Sequence, residues 1–113
     1  MCTTVDIDRN LNYTLDVTTI IRTDTFADWF KRLRDRAAAA RIAIRIDRLA
    51  LGNPGQHRNL TGGVREMKIE FGPGYRVYFT ERAGEIVILL CGGDKKSQDA
   101  DIAVAIRMIS ELE

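Results

Sequence analysis

The chain has 113 residues, and its 17 lysine and arginine side chains nearly balance 16 aspartate and glutamate side chains, for a formal net charge of +1. This length favours a single domain that can bury a core without disulfides or a structural metal. Such a small net charge does not indicate a general nucleic-acid-binding domain, because those usually carry a large basic excess. No apolar run is long enough for a membrane span, and the N-terminus lacks the order of a signal peptide, so we expect a cytoplasmic protein.

The charges are unevenly distributed along the chain. Residues 22–48 contain eight lysines and arginines against four aspartates. Both ends of the chain are acidic by comparison. The chain is therefore polarised rather than basic, and any cationic surface has to come from a local arrangement.

The first part of the chain predicts a flexible lead and then a strand. We expect one domain over residues 1–113, in which residues 1–12 form the lead. The next residues alternate in a β-branched context, with three apolar positions at Tyr13, Leu15 and Val17. This period of two predicts a strand that ends near Arg22.

Two consecutive helices are predicted next, arranged as a hairpin. The first has apolar side chains at i, i+3, i+4 and i+7, the spacing of one core-facing stripe: Phe26, Trp29, Phe30 and Leu33. Asp24 or Thr25 is expected to cap it. Asp35 is expected to cap the second helix, which runs to about Leu51 and stops at Gly52. Its inward side chains are expected to be Ile42, Ile46 and Leu49.

Residues 64–98 predict three strands joined by tight turns. The side chains of the first strand alternate between its two faces. One face carries Arg65, Met67, Ile69 and Phe71, and the other carries Val64, Glu66, Lys68 and Glu70. The second places Tyr75, Val77 and Phe79 on one face and Arg76, Tyr78 and Thr80 on the other. One face of this hairpin is therefore expected to carry Glu66, Lys68, Arg76 and Tyr78 together. Residues 86–91 are all apolar, which predicts a strand covered on both faces.

The last element is predicted to be a helix that opens at Ser97 and buries three isoleucines: Ile102, Ile106 and Ile109. Residues 56–63 are interpreted as a polar connection. The order of elements is then β-α-α-β-β-β-α. It predicts an α+β fold in which a small antiparallel sheet combines an N-terminal strand, a helical hairpin, three consecutive strands and a C-terminal helix.

Several kinds of site are excluded by the residue types present. A zinc site needs clustered cysteine and histidine, but the chain has one histidine and two distant cysteines, so we expect no metal and no other cofactor. The Gly72-Pro73-Gly74 turn lacks the lysine and hydroxyl residue of a phosphate-binding loop. His57 is interpreted as a solvated loop side chain rather than as the base of a nucleophilic triad. Cys91 is interpreted as a buried, unreactive thiol.

Four cations are expected to converge near one face of the sheet: Lys68, Arg76, Lys95 and Lys96. Cleavage of RNA by its own ribose 2′-hydroxyl needs charge stabilisation at the phosphorane and proton transfer at both ends. Clustered cations supply the charge stabilisation directly. Their mutual repulsion is expected to lower the pKa of a lysine among them, which makes it a better proton-transfer group. The alternative is a set of solvated charges paired with Glu66 and Glu70. The residues alone leave both interpretations open.

Five stretches of the chain carry a resemblance: FADWFKRLRD (26–35), ARIAIRIDRLALGN (40–53), GVREMKI (63–69), GPGYRVYF (72–79) and LLCGGDKKSQDADI (89–102). In this order, over about residues 14–110, they resemble the HigB-type addiction-module killer proteins of the RelE/ParE toxin superfamily. The most specific part is the combination of GPGYRVYF with GGDKxxQ. The resemblance implies a small antiparallel sheet flanked by a helical hairpin, in agreement with the predicted order of elements.

The resemblance implies the toxin of a type II toxin–antitoxin system, typically an endoribonuclease that cuts mRNA during translation on the ribosome. Basic residues of the superfamily's nucleases map to Lys68, Arg76, and Lys95 or Lys96. Arg76 and Lys95 are expected to hold the phosphate, and Lys68 to assist proton transfer. Glu66 stands where the RelE branch carries a lysine, and it is expected either to act as general base or to pair with Lys68.

Further RNA contacts are expected outside this catalytic set. Tyr78 is expected either to stack on a base or to pack over a helix. Arg41, Arg45 and Arg48 share one helical face and are placed to contact phosphates of ribosomal RNA. The alternative for these arginines is a solvated face partly paired with Asp47.

The implied partners are the ribosome with its mRNA and a cognate antitoxin that carries a helix-turn-helix DNA-binding domain. The complex with the antitoxin is expected to bind operator DNA. Two alternatives share the fold: a ParE-like inhibitor that acts on DNA gyrase by protein contact without nuclease activity, and an inactive member that serves as a transcriptional co-repressor. Retention of Lys68, Arg76 and Lys95 favours the nuclease.

Overall fold

The computed structural model describes residues 18–112, which form a five-stranded sheet and three α-helices. In chain order the elements are β1 (Thr19–Arg22), α1 (Asp24–Lys31), α2 (Arg36–Ala50), β2 (His57–Asn59), β3 (Arg65–Ile69), β4 (Tyr75–Arg82), β5 (Ile86–Gly93) and α3 (Gln98–Leu112). A 3-10 turn at Thr61–Gly63 joins β2 to β3. The predicted α+β class is confirmed. The expected lead over residues 1–12 and the Tyr13 to Val17 part of the first strand lie outside the described residues.

The strands lie in the order β1-β5-β4-β3-β2. Strands β3, β4 and β5 pair antiparallel, as the sequence predicts, and β2 also pairs antiparallel with β3, but β1 runs parallel to β5. The sheet is therefore mixed. Strand β2 lies in the segment that was interpreted as a polar connection, and this interpretation is wrong. Its three residues are all exposed and polar, so they carry no alternation of apolar and polar side chains that marks a strand.

Helices α1 and α2 cover one face of the sheet, and each begins at a side-chain cap. The Thr23 hydroxyl accepts a hydrogen bond from the backbone N–H of Phe26 at 3.2 Å, so the cap of α1 lies one residue before the expected Asp24 or Thr25. Asp35 caps α2 as predicted, through the N–H of Ala38. Both helices contribute to a continuous apolar core with β3, β4 and β5: Phe26, Ile42, Ile46, Leu49, Met67, Ile69, Val77, Phe79, Val87 and Leu89.

Helix α3 covers the other face, over a smaller cluster made of Val64, Tyr78, Leu90, Cys91 and Ala105. Between β4 and β5 the register shifts, because Tyr78 pairs with Cys91 while Phe79 pairs with Leu89. This bulge leaves Leu90 as the extra residue. Helix α3 begins directly after Ser97, as predicted, and its three isoleucines pack on the cluster while staying partly exposed. None of the described helices is long and apolar enough to cross a membrane.

The end of β5 fixes where α3 begins. A Cβ atom added to Gly93 would collide with the Asp101 carboxylate and the Ser97 hydroxyl, so glycine is needed for this close approach. Ser97 donates a hydrogen bond from its hydroxyl to the Asp101 carboxylate, which fixes the first turn of the helix. The first helical residue, Gln98, is thereby placed over the polar part of β3, where it contacts Glu66.

Candidate active site

An open cleft of about 390 Å³ lies where β2, β3 and β4 meet the start of α3. Its lining is polar throughout: Gln56, His57, Arg58, Glu66, Lys68, Arg76 and Gln98. The strand register explains why these side chains meet. Glu66 pairs with Arg58 on one side, and Lys68 pairs with Arg76 on the other. Paired residues project to the same face of a sheet, and Tyr78 is also paired with Glu66, so the predicted shared face of Glu66, Lys68, Arg76 and Tyr78 is confirmed.

Glu66 forms part of the cleft wall, and the residue is only 3% exposed. One oxygen accepts a hydrogen bond from Nε of Arg58 at 2.7 Å, and the other accepts one from Nε2 of Gln98 at 2.8 Å. Burial by itself would raise the pKa of Glu66, but the hydrogen bonds from Arg58 and Gln98 and the charge of Arg58 outweigh it and lower the pKa. The carboxylate is therefore ionised at neutral pH, and each of its oxygens accepts one hydrogen bond.

The expected alternative in which Glu66 pairs with Lys68 is wrong. The Lys68 ammonium lies 3.7 Å from the carboxylate of Glu70, and this pair is exposed to solvent. Such a pair contributes little to stability. The side chain of Lys68 is 37% exposed and lines the cleft, so its charge is available to a bound anion.

Arg76 forms a different part of the same wall. It is 6% exposed, its Nη1 donates to the carbonyl oxygen of Gly74 at 2.7 Å, and its Nε lies 3.6 Å from the Glu66 carboxylate. A buried guanidinium requires a compensating carboxylate, and Glu66 supplies it. Within the described residues, the Nε of Arg76 has no hydrogen-bond partner of good geometry. This unsatisfied donor lies beside the cleft.

The charges of the cleft do not cancel. Arg58, Lys68 and Arg76 bring three positive charges against the one negative charge of Glu66, which leaves a net charge of +2 with His57 neutral. A concave surface with this excess attracts anions. Among residues 18–112, no group of three or more histidine, cysteine, aspartate and glutamate side chains is arranged to hold a metal ion.

The two lysines that follow β5 lie outside the cleft lining. Lys95 lies close to Arg76, since Gly74 is next to both. A Cβ atom added to Gly74 would lie 3.4 Å from Nη1 of Arg76 and 3.9 Å from Cβ of Lys95. Lys96 is exposed in the turn before α3, where its backbone N–H bonds to the Asp94 carboxylate. The structure therefore brings Lys68 and Arg76 together in the cleft, places the backbone of Lys95 near Arg76, and leaves Lys96 exposed outside the cleft lining.

Tyr78 does not face an RNA-binding surface. It is fully buried in the cluster beneath α3, so the expected stacking on a base is wrong and the alternative of packing against a helix is confirmed. Burial, together with the negative charge of Glu66, raises the pKa of Tyr78. Its hydroxyl makes no hydrogen bond of good geometry within the described residues.

The three arginines of α2 lie around another hollow, of about 300 Å³, which is lined by Arg41, Ile44, Arg45, Arg48, Ile69 and Glu70. Arg45 is half-buried, and its guanidinium donates to the backbone carbonyl of Lys68 at 2.7 Å. Burial first, and then the nearby charge of Arg48, lower the pKa of Arg45. Arg41 lies over the ring of Phe71 at 4.5 Å. These arginines are therefore near β3 but do not line the cleft.

Sequence reasoning missed four residues that line the cleft, and Gln56 is one of them. His57 was interpreted as a loop side chain, but it begins β2, and its Nδ1 lies 2.9 Å from the carbonyl oxygen of Gly55. Arg58 was not singled out, because it meets Glu66 only through the pairing of β2 with β3. Gln98 lies in the GGDKxxQ motif, and that motif was the one signal in the sequence that pointed to it.

The sheet order and the flanking helices define a RelE-type fold. Among solved structures, the chain is similar to the free state of a double mutant of the Escherichia coli toxin RelE, with a TM-score of 0.66 and 13% sequence identity. The similarity covers 82% of this chain and 98% of that chain. At this identity it shows the fold.

The family follows from the sequence. The model of the family "Phage derived protein Gp49-like (DUF891)" matches residues 28–109, and the chain belongs to this family of RelE/HigB-type toxins within the RelE superfamily. An uncharacterized protein of Haemophilus influenzae (strain Rd) is 46% identical over 88 residues, which cover 78% of this chain and 89% of that protein. Family and fold together support the toxin of a toxin–antitoxin system and imply an antitoxin as its partner.

Proposed function

We propose that this chain is a HigB-type endoribonuclease that cleaves translated mRNA on the ribosome without a metal ion and so arrests growth. The observation that carries the proposal is the cleft with a net charge of +2, in which a nearly buried arginine is fixed by a buried carboxylate. A solvated surface arginine does not need a buried carboxylate to hold it. An arginine that binds a phosphate in one fixed orientation does need one.

The proposed reaction is the attack of a ribose 2′-hydroxyl on the adjacent phosphorus. The new bond joins the 2′ oxygen to phosphorus, and the bond to the 5′ oxygen of the next nucleotide breaks, which leaves a 2′,3′-cyclic phosphate and a 5′-hydroxyl. Arg76 and Lys95 hold the phosphate and stabilise the charge of the phosphorane. Lys68 lies opposite Arg76 in the cleft and supplies a proton to the departing 5′ oxygen. The proton of the attacking 2′-hydroxyl passes to solvent water in the open cleft.

The proposed partners follow the same reasoning. Arg41 and Arg48 are exposed on α2, and Lys96 is exposed in the turn before α3, where they meet phosphates of ribosomal RNA. Arg45 supports this surface from within, because its guanidinium bonds to the backbone carbonyls of Lys68, Pro54 and Gln56. An antitoxin with a DNA-binding helix-turn-helix domain neutralises the chain in the cytoplasm, and their complex binds operator DNA. A protein that acts on ribosome-bound mRNA needs no specific affinity for free RNA, which agrees with the overall net charge of +1.

The test is a map of the 5′ ends of mRNA after brief induction in cells without the antitoxin, on a translated and an untranslated copy of one message. We expect new ends in the translated copy alone with the wild-type chain, and none with Arg76→Ala or Lys68→Ala. The side chain of Lys68 is only partly buried, so its variant keeps the fold even if Arg76→Ala does not. Arg107→Ala, which removes an exposed cation of α3, serves as the matched control and retains cleavage.

The outcomes separate the two functions that the fold allows. Intact messages in cells whose growth is arrested would contradict the nuclease and direct the next assay to the supercoiling activity of DNA gyrase. Equal cleavage of both copies would contradict dependence on the ribosome. Cleavage that persists in Lys68→Ala and in a folded Arg76→Ala would remove these residues from the proposed mechanism.

A further inference from the structure

Arg58 is a cation of the cleft to which no role has yet been given. It lies on β2, the edge strand of the sheet, opposite Glu66 on β3. Its Nε donates to Glu66 at 2.7 Å, while its side chain remains 58% exposed. The carboxylate that it contacts is almost fully buried. One end of the guanidinium is therefore fixed to the protein interior and the other faces solvent at the cleft.

This hydrogen bond uses only one of the donors of Arg58. A guanidinium has five N–H donors in a fixed planar fork, and the bond to Glu66 engages the single one on Nε. Within residues 18–112, Glu66 is the partner that the Arg58 side chain contacts by hydrogen bond or ion pair. The four N–H groups on Nη1 and Nη2 thus remain for a ligand, on a side chain whose orientation is already set. That combination reduces the entropy lost when the ligand binds.

Arg76 offers less to an incoming anion. It is nearly buried, and its Nη1 is committed to the carbonyl oxygen of Gly74. Its charge acts on the cleft from within the wall, whereas Arg58 and Lys68 present their charges at the surface. An anion that enters the cleft meets the exposed pair before it reaches Arg76.

We infer that Arg58 is a phosphate-binding residue of this cleft and that Glu66 is the positioning residue that holds Arg58 and Arg76 for the same anion. The identity of the anion as a phosphate of the RNA substrate rests on the proposed function. A planar guanidinium binds two phosphate oxygens at once, a geometry that an ammonium does not reproduce.

The same contacts argue against Glu66 as the general base. A base needs a free lone pair directed at the proton that it removes. The hydrogen bonds that Glu66 accepts from Arg58 and Gln98 lower its pKa, which makes the carboxylate a weaker base. The carboxylate also has little access to solvent. It therefore acts through the arginines that it holds.

The first test measures single-turnover cleavage of a ribosome-bound mRNA by purified Arg58→Ala, Arg58→Lys and wild-type chains. We expect Arg58→Ala to cleave about 10- to 100-fold more slowly, the range for loss of a charge-assisted hydrogen bond. Arg58→Lys should recover only part of this loss, because it keeps the charge but not the oriented fork. The matched control is Arg65→Ala, which removes another partly exposed arginine that is paired with a glutamate, Glu81, outside the cleft.

Each outcome of this test has a definite meaning. If Arg58→Ala cleaves within twofold of the wild type, the inference is wrong and the proposed function stands. Full activity of Arg58→Lys would contradict the claim that the guanidinium geometry of Arg58 is needed, and would show that its positive charge is sufficient. An equal loss in Arg58→Ala and Arg65→Ala would show an effect of general charge rather than of this site, and would also overturn the inference.

A second test does not depend on cleavage. Inorganic phosphate is titrated into the isotope-labelled chain, and the Nε–H signals of its arginines are followed by NMR. We expect saturable shifts of the Arg58 and Arg76 signals, no shift of Arg65, and phosphate affinity reduced about tenfold in Arg58→Ala. A wild-type chain that binds phosphate here but cleaves no mRNA would contradict the proposed function alone. Arginine signals that do not respond to phosphate would contradict the inference.

Discussion

The two faces of the sheet are built on opposite principles. The face beneath α1 and α2 is closed by ten buried apolar side chains that form one continuous core. The face beneath α3 is apolar only where the helix lies, and beyond the helix it becomes a cleft with a buried carboxylate and a nearly buried arginine. A single strand serves both, because Met67 points into the core while its neighbours Glu66 and Lys68 point to the cleft.

The difference shows which face stabilises the fold and which face presents charge. Apolar burial is worth about 1.5 to 3 kcal/mol for each large side chain. A buried ion pair often contributes nothing net, because desolvation of both charges offsets their attraction. Stability is therefore a weak explanation for the ion pair of Glu66 and Arg76. Its better explanation is that it presents positive charge to the cleft. Substitutions on the two faces are expected to separate these roles.

The largest effect is expected on the closed face. Phe26→Ala removes a fully buried ring that contacts the rings of Trp29 and Phe30, and it should lower the free energy of unfolding by about 3 to 5 kcal/mol. Urea denaturation followed by circular dichroism measures this loss. Ile44→Ala, at an exposed position of α2, is the control and should change stability by less than about 0.5 kcal/mol. A loss of similar size in both variants would contradict the assignment of the core.

A smaller effect, with a distinctive pH dependence, is expected from Glu66→Gln. It leaves Arg76 without its carboxylate and should cost about 2 kcal/mol at neutral pH. Because the pKa of Glu66 in the folded chain is lowered from 4.5, its contribution is present above pH 4.5 and is lost as the pH falls through the folded-state pKa. The stability difference between wild type and Glu66→Gln should therefore shrink between pH 7 and pH 3.

Urea denaturation at a series of pH values measures that difference, and the comparison cancels the titration of the other carboxylates. A difference that stays constant down to pH 3 would show that the charge of Glu66 does not stabilise the fold. A difference that grows as the pH falls would reverse the sign of the effect and contradict the ion-paired carboxylate.

The smallest effect is expected from Tyr78→Phe, at the border between the apolar and polar parts of the α3 face. The Tyr78 hydroxyl is buried without a hydrogen bond of good geometry, so its removal should change stability by less than about 1 kcal/mol, in the stabilising direction. Toxicity should be unchanged, because the ring is in the core. Loss of cleavage by a folded Tyr78→Phe variant would contradict this expectation and would show that the Tyr78 hydroxyl takes part in the reaction.

Most of the fold was predictable because local signals and packing agree. The apolar stripe of α1, the Asp35 cap of α2 and the alternation of β3 and β4 each led to the observed element. Strand β2 was missed because its residues are polar and exposed, and only its pairing with β3 makes it a strand. The parallel pairing of β1 likewise depends on which strand lies beside it in space.

The sequence predicted which strands carry the site residues, but not which side chains contact each other there. Alternation placed Lys68 and Arg76 on one face, since period two is a property of the backbone. The partner of Glu66 was predicted wrongly, because Arg58 lies on a strand that the sequence did not reveal and contacts the carboxylate across the sheet. Which of several nearby cations a carboxylate contacts depends on side-chain geometry, and periodicity carries no information about that.

The most direct test of the central claim compares Lys68→Ala, which removes a partly exposed cation inside the cleft, with Arg107→Ala, which removes an exposed cation outside it. The measurement is the single-turnover rate of cleavage of a ribosome-bound mRNA at saturating toxin, so that chemistry rather than binding is compared. We predict that Lys68→Ala cleaves at least about 100-fold more slowly than wild type, as for loss of a general acid, while Arg107→Ala cleaves at the wild-type rate. Equal rates for Lys68→Ala and the wild type would contradict the assignment of this cleft as the active site.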